Sequence, residues 1–108
     1  MPHVPESQFH NEAHEWLKME YGDQNVEHEP VLPATRREPD FWVRRDGFSI
    51  AVEVENDWEA CLKGVGQAML YAAHSPNTVP MLVTPEGHIE RPEATLLQER
   101  TPVIIVEV

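Results

Sequence analysis

Cysteine and lysine are both scarce in this chain: Cys61 stands alone, and Lys18 and Lys63 are the only lysines among 108 residues. A lone cysteine excludes an intrachain disulfide and fits a reducing, cytoplasmic interior. Inside a helix next to Leu62, it reads as a packing residue. Long apolar runs are missing too. Nothing approaches the ~18 residues of a membrane span, and the polar, proline-bearing stretch Met1 to His10 has no signal-peptide core. A soluble intracellular protein with no membrane partner is expected. There is no Gly-x-Ser-x-Gly elbow and no sequence setting for a cysteine nucleophile, which argues against acyl transfer. Gly64-Val65-Gly66 lacks the lysine and the strand context of a phosphate loop.

Positive charge is equally thin. Eight Lys and Arg face 19 Asp and Glu, for a formal net charge of -11 and a pI near 4.8. A duplex-binding surface normally neutralises phosphates with basic residues, so this balance weighs against nucleic acid. It would fit a halophilic protein, because the Debye length falls to about 3 Å at molar salt and mutes long-range repulsion. The arginines are nonetheless clustered. Arg36 and Arg37 precede Asp40, and Arg44 and Arg45 stand at the Asp46-Gly47 turn. Their plain role is solvation and edge protection; as a group they could hold phosphates. At this length residues 1–108 form one domain, with no room for a separate nucleic-acid-reading module.

The alternation of elements predicts an α/β sandwich with a mixed sheet. A helix runs from Ser7 as cap to about Tyr21, stopped by Gly22, with Phe9, Ala13, Trp16 and Met19 or Glu20 at helical spacing and Trp16 and Leu17 as its buried pair. Val26 to Leu32 reads as a short strand that Pro30 marks as an edge or a bend. Pro33 to Glu38 is a loop. Asn56, with Glu59 three residues on, can cap a helix running to about Ala73. Its apolar stripe is Trp58, Leu62, Val65, Met69 and Ala73, and a second stripe carries Glu59, Lys63, Gln67 and Tyr71. Gly64 and Gly66 each cost about 1 kcal/mol against alanine inside a helix, which suggests close packing on the sheet. Val79 to Thr84 is a strand, Pro92 to Arg100 a short helix with proline in its first turn, and Val103 to Val108 an apolar run typical of a buried strand.

The segment between these helices carries the chemistry. Asp46-Gly47 between apolar runs is a hairpin signal, and a two-residue turn fixes the register. Arg45 then opposes Phe48, Val43 opposes Ile50, Phe41 opposes Val52, and Asp40 opposes Glu53. A four-residue loop would still leave Asp40 and Glu53 on one face, whereas a three-residue loop would separate them. Glu55 points the same way as Glu53, about 7 Å along the strand. The opposite face, Phe41, Val43, Phe48, Ile50, Val52 and Val54, is the core side. Directly opposed like charges destabilise a strand pair. Three converging carboxylates therefore call for a divalent cation, and oxygen ligands suit Mg²⁺ or Mn²⁺.

With Pro39-Asp40, Glu53-Val54-Glu55 and Gln67-Ala-Met-Leu-Tyr71 in this order, the chain resembles the PD-(D/E)XK nuclease superfamily, the restriction-endonuclease-like fold, over roughly residues 7 to 108. The resemblance implies a metal-dependent deoxyribonuclease in which Asp40 and Glu53 hold the cation. Glu55, standing where the family has lysine, would complete the site or act as base. It further implies a supporting glutamate on the first helix, best matched by Glu12 with Glu15 close behind. Lys63 could replace the absent strand lysine, and Gln67 and Tyr71 would position substrate or brace the site. DNA is the implied substrate and a homodimer the implied assembly, with a partner subunit as a source of basic surface. The alternative is a catalytically degenerate member that acts as a binding or assembly module.

Six histidines raise zinc as well. His10 and His14 are at i and i+4 on one helix, a workable pair. The residues between them do not make His-Glu-x-x-His, and no third ligand is evident.

Overall fold

In the computed structural model, residues 6–30, 39–87 and 92–108 are described. Arg36, Arg37, Leu32 and His88 lie outside them. The Asp46-Gly47 turn sets the centre of the sheet. It joins β2 (Phe41–Arg45) to β3 (Phe48–Val54), with Phe41 opposite Val52, Val43 opposite Ile50 and Arg45 opposite Phe48, the register expected from a two-residue turn. Gly47 takes a φ of 79°, which a residue without Cβ adopts readily.

β1 (Val26–His28) adds antiparallel to β2, while β4 (Thr78–Thr84) and β5 (Ile104–Glu107) add parallel beyond β3. The result is a five-stranded mixed open sheet in the order β1-β2-β3-β4-β5. Parallel neighbours need crossovers. α2 (Trp58–Ala73) links β3 to β4, and α3 (Pro92–Arg100) lies between β4 and β5 in the chain. α1 (Glu6–Tyr21) precedes the sheet, begins one residue before Ser7 and is followed by Gly22 at a φ of 93°.

Helices cover both sheet faces. On one, Phe9, Ala13 and Leu17 of α1, at successive i+4 steps, pack on Phe41, Val43, Ile50, Val52, Val54, Met81 and Val83. On the other, Cys61 and Val65 of α2 and Ala94 of α3 pack on Leu82 and Ile105, while Tyr71 closes over Trp42 and Ala51. Leu17 is buried and Trp16 only half so, and Met19 is fully out in solvent.

Three expectations change. The cap of α2 is Asp57, not Asn56: its carboxylate accepts from Ala60 N at 3.3 Å. The buried residues of α2 are Cys61, Gly64, Val65, Ala68 and Tyr71, whereas Leu62 is 46% exposed and Ala73 is exposed. The helix is rotated because its small residues let it approach the sheet, and bulky Leu62 is left outside. Val103 to Val108 is not a fully buried strand either. β5 is an edge with Ile104 exposed, and Gln98 of α3 reaches over to accept from Ile105 N at 3.2 Å. The early Pro30 bend is matched by a β1 that ends at His28, with Glu29 in the left-handed region at φ 49°.

Candidate metal centre

The strand directions bring three acids to one end of the sheet. Asp40 immediately precedes β2, and Glu53 and Glu55 close β3, so all three gather at the carboxyl end of the parallel pair β3 and β4. Crevices at that end of an open α/β sheet are where ligands bind in such folds. One oxygen from each of Asp40, Glu53 and Glu55 falls within 4.8 Å of the others. Among the described residues this is the one group of His, Cys, Asp or Glu side chains so arranged.

The three differ in setting. Asp40 is fixed by the backbone on both sides: its carbonyl accepts from Glu29 N at 2.9 Å and its Oδ2 accepts from Val54 N at 2.8 Å. The Val54 bond pins the carboxylate over the end of β3. Glu53 is the buried member, only 4% exposed. Burial first, then its hydrogen bond to Asp40, then the charges of Asp40 and Glu55 push its carboxyl up to about 9. Without a bound cation this favours the protonated form of the Glu53 carboxyl, hydrogen-bonded to Asp40. Glu55 is half-buried, its amide donating to Val83 O at 3.0 Å, which ties the end of β3 to β4. Water reaches the cluster from the Asp40 and Glu55 sides.

α2 forms the roof. A Cβ at Gly64 would stand 3.0 Å from Glu55 Cγ, 3.2 Å from Leu82 Cδ1 and 3.7 Å from Glu53 Cβ. Glycine is what lets the helix lie directly on the acidic strand. Beneath its first turn Cys61 is fully buried, with Sγ 3.3 Å from Thr84 Oγ1 and 3.8 Å from the Glu55 carbonyl, so it acts in packing.

The other sequence-derived residues divide. Gln67 is half-buried on α2, one turn beyond Gly64, and Tyr71 is buried one further turn on, against Trp42 and Ala51. Both lie along the helix face that covers the acidic side of the hairpin. Lys63 is exposed on α2, and Glu12 and Glu15 are exposed on α1. Glu15 pairs with Lys18 at 2.8 Å. Arg44 and Arg45 stand at the turn end of the hairpin, four and five residues and roughly 13 to 17 Å along the strand from Asp40. Arg44 Nε donates to Glu27 at 3.0 Å, and Arg45 lies over the Tyr21 ring at 5.3 Å. These two guanidiniums are therefore separated from the carboxylates by the length of the strand.

His10 is the site neighbour that the motifs did not single out. Its Nε2 is 3.9 Å from Asp40 Oδ2, and it brings α1 to the edge of the cluster. Sequence spacing pairs His10 with His14 instead. His14, however, faces Phe41 at 4.8 Å between ring centroids, beside His28, which stacks on the same ring at 4.9 Å. His10, His14 and His28 gather around the Phe41 ring, and among the described residues they belong to no group of three metal-ligating side chains.

No protein-family model matches the chain, and no curated protein and no solved structure matches it significantly. The fold and the acidic cluster therefore stand on the chain's own geometry. Among the described residues no helix is long and apolar enough to cross a membrane.

Proposed function

We propose that the chain is a Mg²⁺- or Mn²⁺-dependent nuclease that hydrolyses DNA phosphodiester bonds at the Asp40, Glu53 and Glu55 cluster. The observation that carries this reading is the burial of Glu53 against Asp40, with Glu55 completing a group of oxygen ligands within 4.8 Å. Burying one of three clustered acids is costly unless it is neutralised or paired with a cation. The donor set fits a hard divalent ion, being all carboxylate oxygen, partly preorganised and open on one side.

The PD-(D/E)XK resemblance supports the same reading. Its motif residues Asp40 and Glu53 fall at the paired ends of β2 and β3, and the Gln67 and Tyr71 helix follows as α2. A bound cation supplies Lewis acidity that activates water and offsets charge on the phosphate. Asp40 and Glu53 would hold it, Asp40 being oriented by the Val54 amide and Glu53 giving up its proton to solvent on binding. Glu55, half-buried, would complete the set or take the proton of the attacking water. Gln67 and Tyr71 brace the roof over the strand pair. With a net charge of -11, DNA approach requires high salt or a partner subunit that contributes basic surface.

A second reading, a catalytically degenerate nuclease-fold protein acting as a binding or assembly module, draws on a specific observation. Glu53 is buried and hydrogen-bonded to Asp40, which favours its protonated form and would relieve the repulsion without a cation, and Lys63 is exposed on the helix. The deciding experiment is cleavage of labelled linear, single-stranded and four-way-junction DNA with Mg²⁺ or Mn²⁺ at low and molar salt, run beside Glu53→Ala. Cleavage lost in the variant supports the nuclease. A folded chain that cleaves none of the substrates leaves the binding module.

A further inference from the structure

We propose that the exposed face of α3, with the adjoining Leu62 of α2, is the surface through which two copies of this chain pair about a twofold axis. Leu62 is 46% exposed and Leu96 is 50% exposed, and both line a groove of about 370 Å³ together with Glu93, Leu97, Arg100 and Thr101. The groove is apolar at its centre and charged at its two ends.

The spacing decides the occupant. Glu93, Leu96, Leu97 and Arg100 lie at i, i+3, i+4 and i+7, one face of a helix. A twofold axis crossing that face between Leu96 and Leu97 makes two α3 helices antiparallel. It brings Leu96 of one copy against Leu97 of the other and Glu93 of each against Arg100 of its mate. An isologous interface requires this self-complementarity, in which residue i meets j and j meets i. The two charges also suit the helix dipole, acid in the first turn and base in the last, which gives them a local reason. Leu96, exposed between them, has no such local reason, and Leu97, half-buried against the core, still lines the same groove.

α3 has nine residues, about 14 Å of helix, so the contact falls at the small end of specific interfaces. The expected dimer is weak and reversible, with a dissociation constant on the order of tens of micromolar. This inference does not depend on cation binding or on cleavage.

Sedimentation velocity on the full chain across micromolar to near-millimolar concentrations tests it. Wild type should move from monomer to dimer. Glu93→Arg and Arg100→Glu alone each replace two attractive contacts per dimer by two repulsive ones, and each should weaken the dimer by about tenfold or more. The double exchange should restore it to within about threefold of wild type. Leu96→Ser should leave a monomer. All three positions are at the surface, so an unchanged circular dichroism spectrum is expected and certifies the comparison. A chain that stays monomeric throughout overturns the proposal and leaves this face to a different protein. A dimer indifferent to the single exchanges, or one that the double exchange fails to restore, overturns it as well.

Discussion

The Asp40 carboxylate and the Val54 amide are joined at 2.8 Å across the open end of the hairpin, so a residue of the acidic cluster is also the last rung between β2 and β3. The two roles separate by substitution. Asp40→Asn keeps an oxygen that can accept from Val54 N while removing the charge. It should fold with stability close to wild type and lose divalent-cation binding. Asp40→Ala leaves the Val54 amide without its acceptor and should cost about 1–3 kcal/mol in urea unfolding. Equal loss of stability in both variants would show that charge, not the strand rung, is what Asp40 supplies to the fold.

Glu53 gives the cation test. If the cluster binds Mg²⁺ or Mn²⁺, saturation at a hundred times the dissociation constant adds about 2.7 kcal/mol, and a domain of this size then melts on the order of 10 °C higher. Glu53→Gln retains an amide that can donate to Asp40 but removes a ligand charge. The expected outcome in differential scanning calorimetry is a clear upward shift for wild type and little or none for the variant. A wild-type chain indifferent to both cations removes the metal reading.

The same residue sets a pH dependence in the presence of chelator. Its carboxyl is raised from 4.5 to about 9 by burial and by Asp40 and Glu55. The folded state therefore binds more protons than the unfolded chain between those values. Stability from this group is fully present below about 4.5, declines as pH rises and is gone above about 9. Urea unfolding at rising pH should show the decline in wild type and a flatter profile in Glu53→Gln. Matching profiles would mean that Glu53 is ionised in the folded chain across the range.

Much of this site was legible because hairpin geometry is local. Asp46-Gly47 fixes the register, and the register fixes which acids meet. Pro92 and the capping residues near 56 and 57 mark helix limits for the same local reason. What covers the acidic face is not local. Glu53 and Glu55 at alternate positions have the look of a solvent-facing strand, and only the passage of α2 overhead buries Glu53 to 4% exposure. The small residues Cys61, Gly64 and Ala68 were the trace of that passage, and the bulkier Leu62 drew the apolar stripe to the wrong side. Strand order is non-local too, so the Val103 to Val108 run did not announce an edge. His10 comes to Asp40 only because α1 packs against β2, a contact that no spacing within α1 encodes.

The two glycines of α2 should respond in opposite directions. Gly66 has open space where a Cβ would go, so Gly66→Ala should gain about 0.5–1 kcal/mol from helix propensity and from a less flexible unfolded chain. At Gly64 the same propensity gain meets Glu55 Cγ at 3.0 Å and Leu82 Cδ1 at 3.2 Å. Neither neighbour moves freely: Leu82 is fully buried, and the Glu55 backbone is tied to Val83. Overpacking of this kind typically costs about 1–3 kcal/mol, so Gly64→Ala should be net destabilising in urea. By shifting Glu55 or lifting the helix it should also weaken cation binding measured by calorimetric titration, which Gly66→Ala should leave intact. If Gly64→Ala proves as stable as Gly66→Ala, the helix is not in contact with the acidic strand, and the enclosed character of the site goes with it.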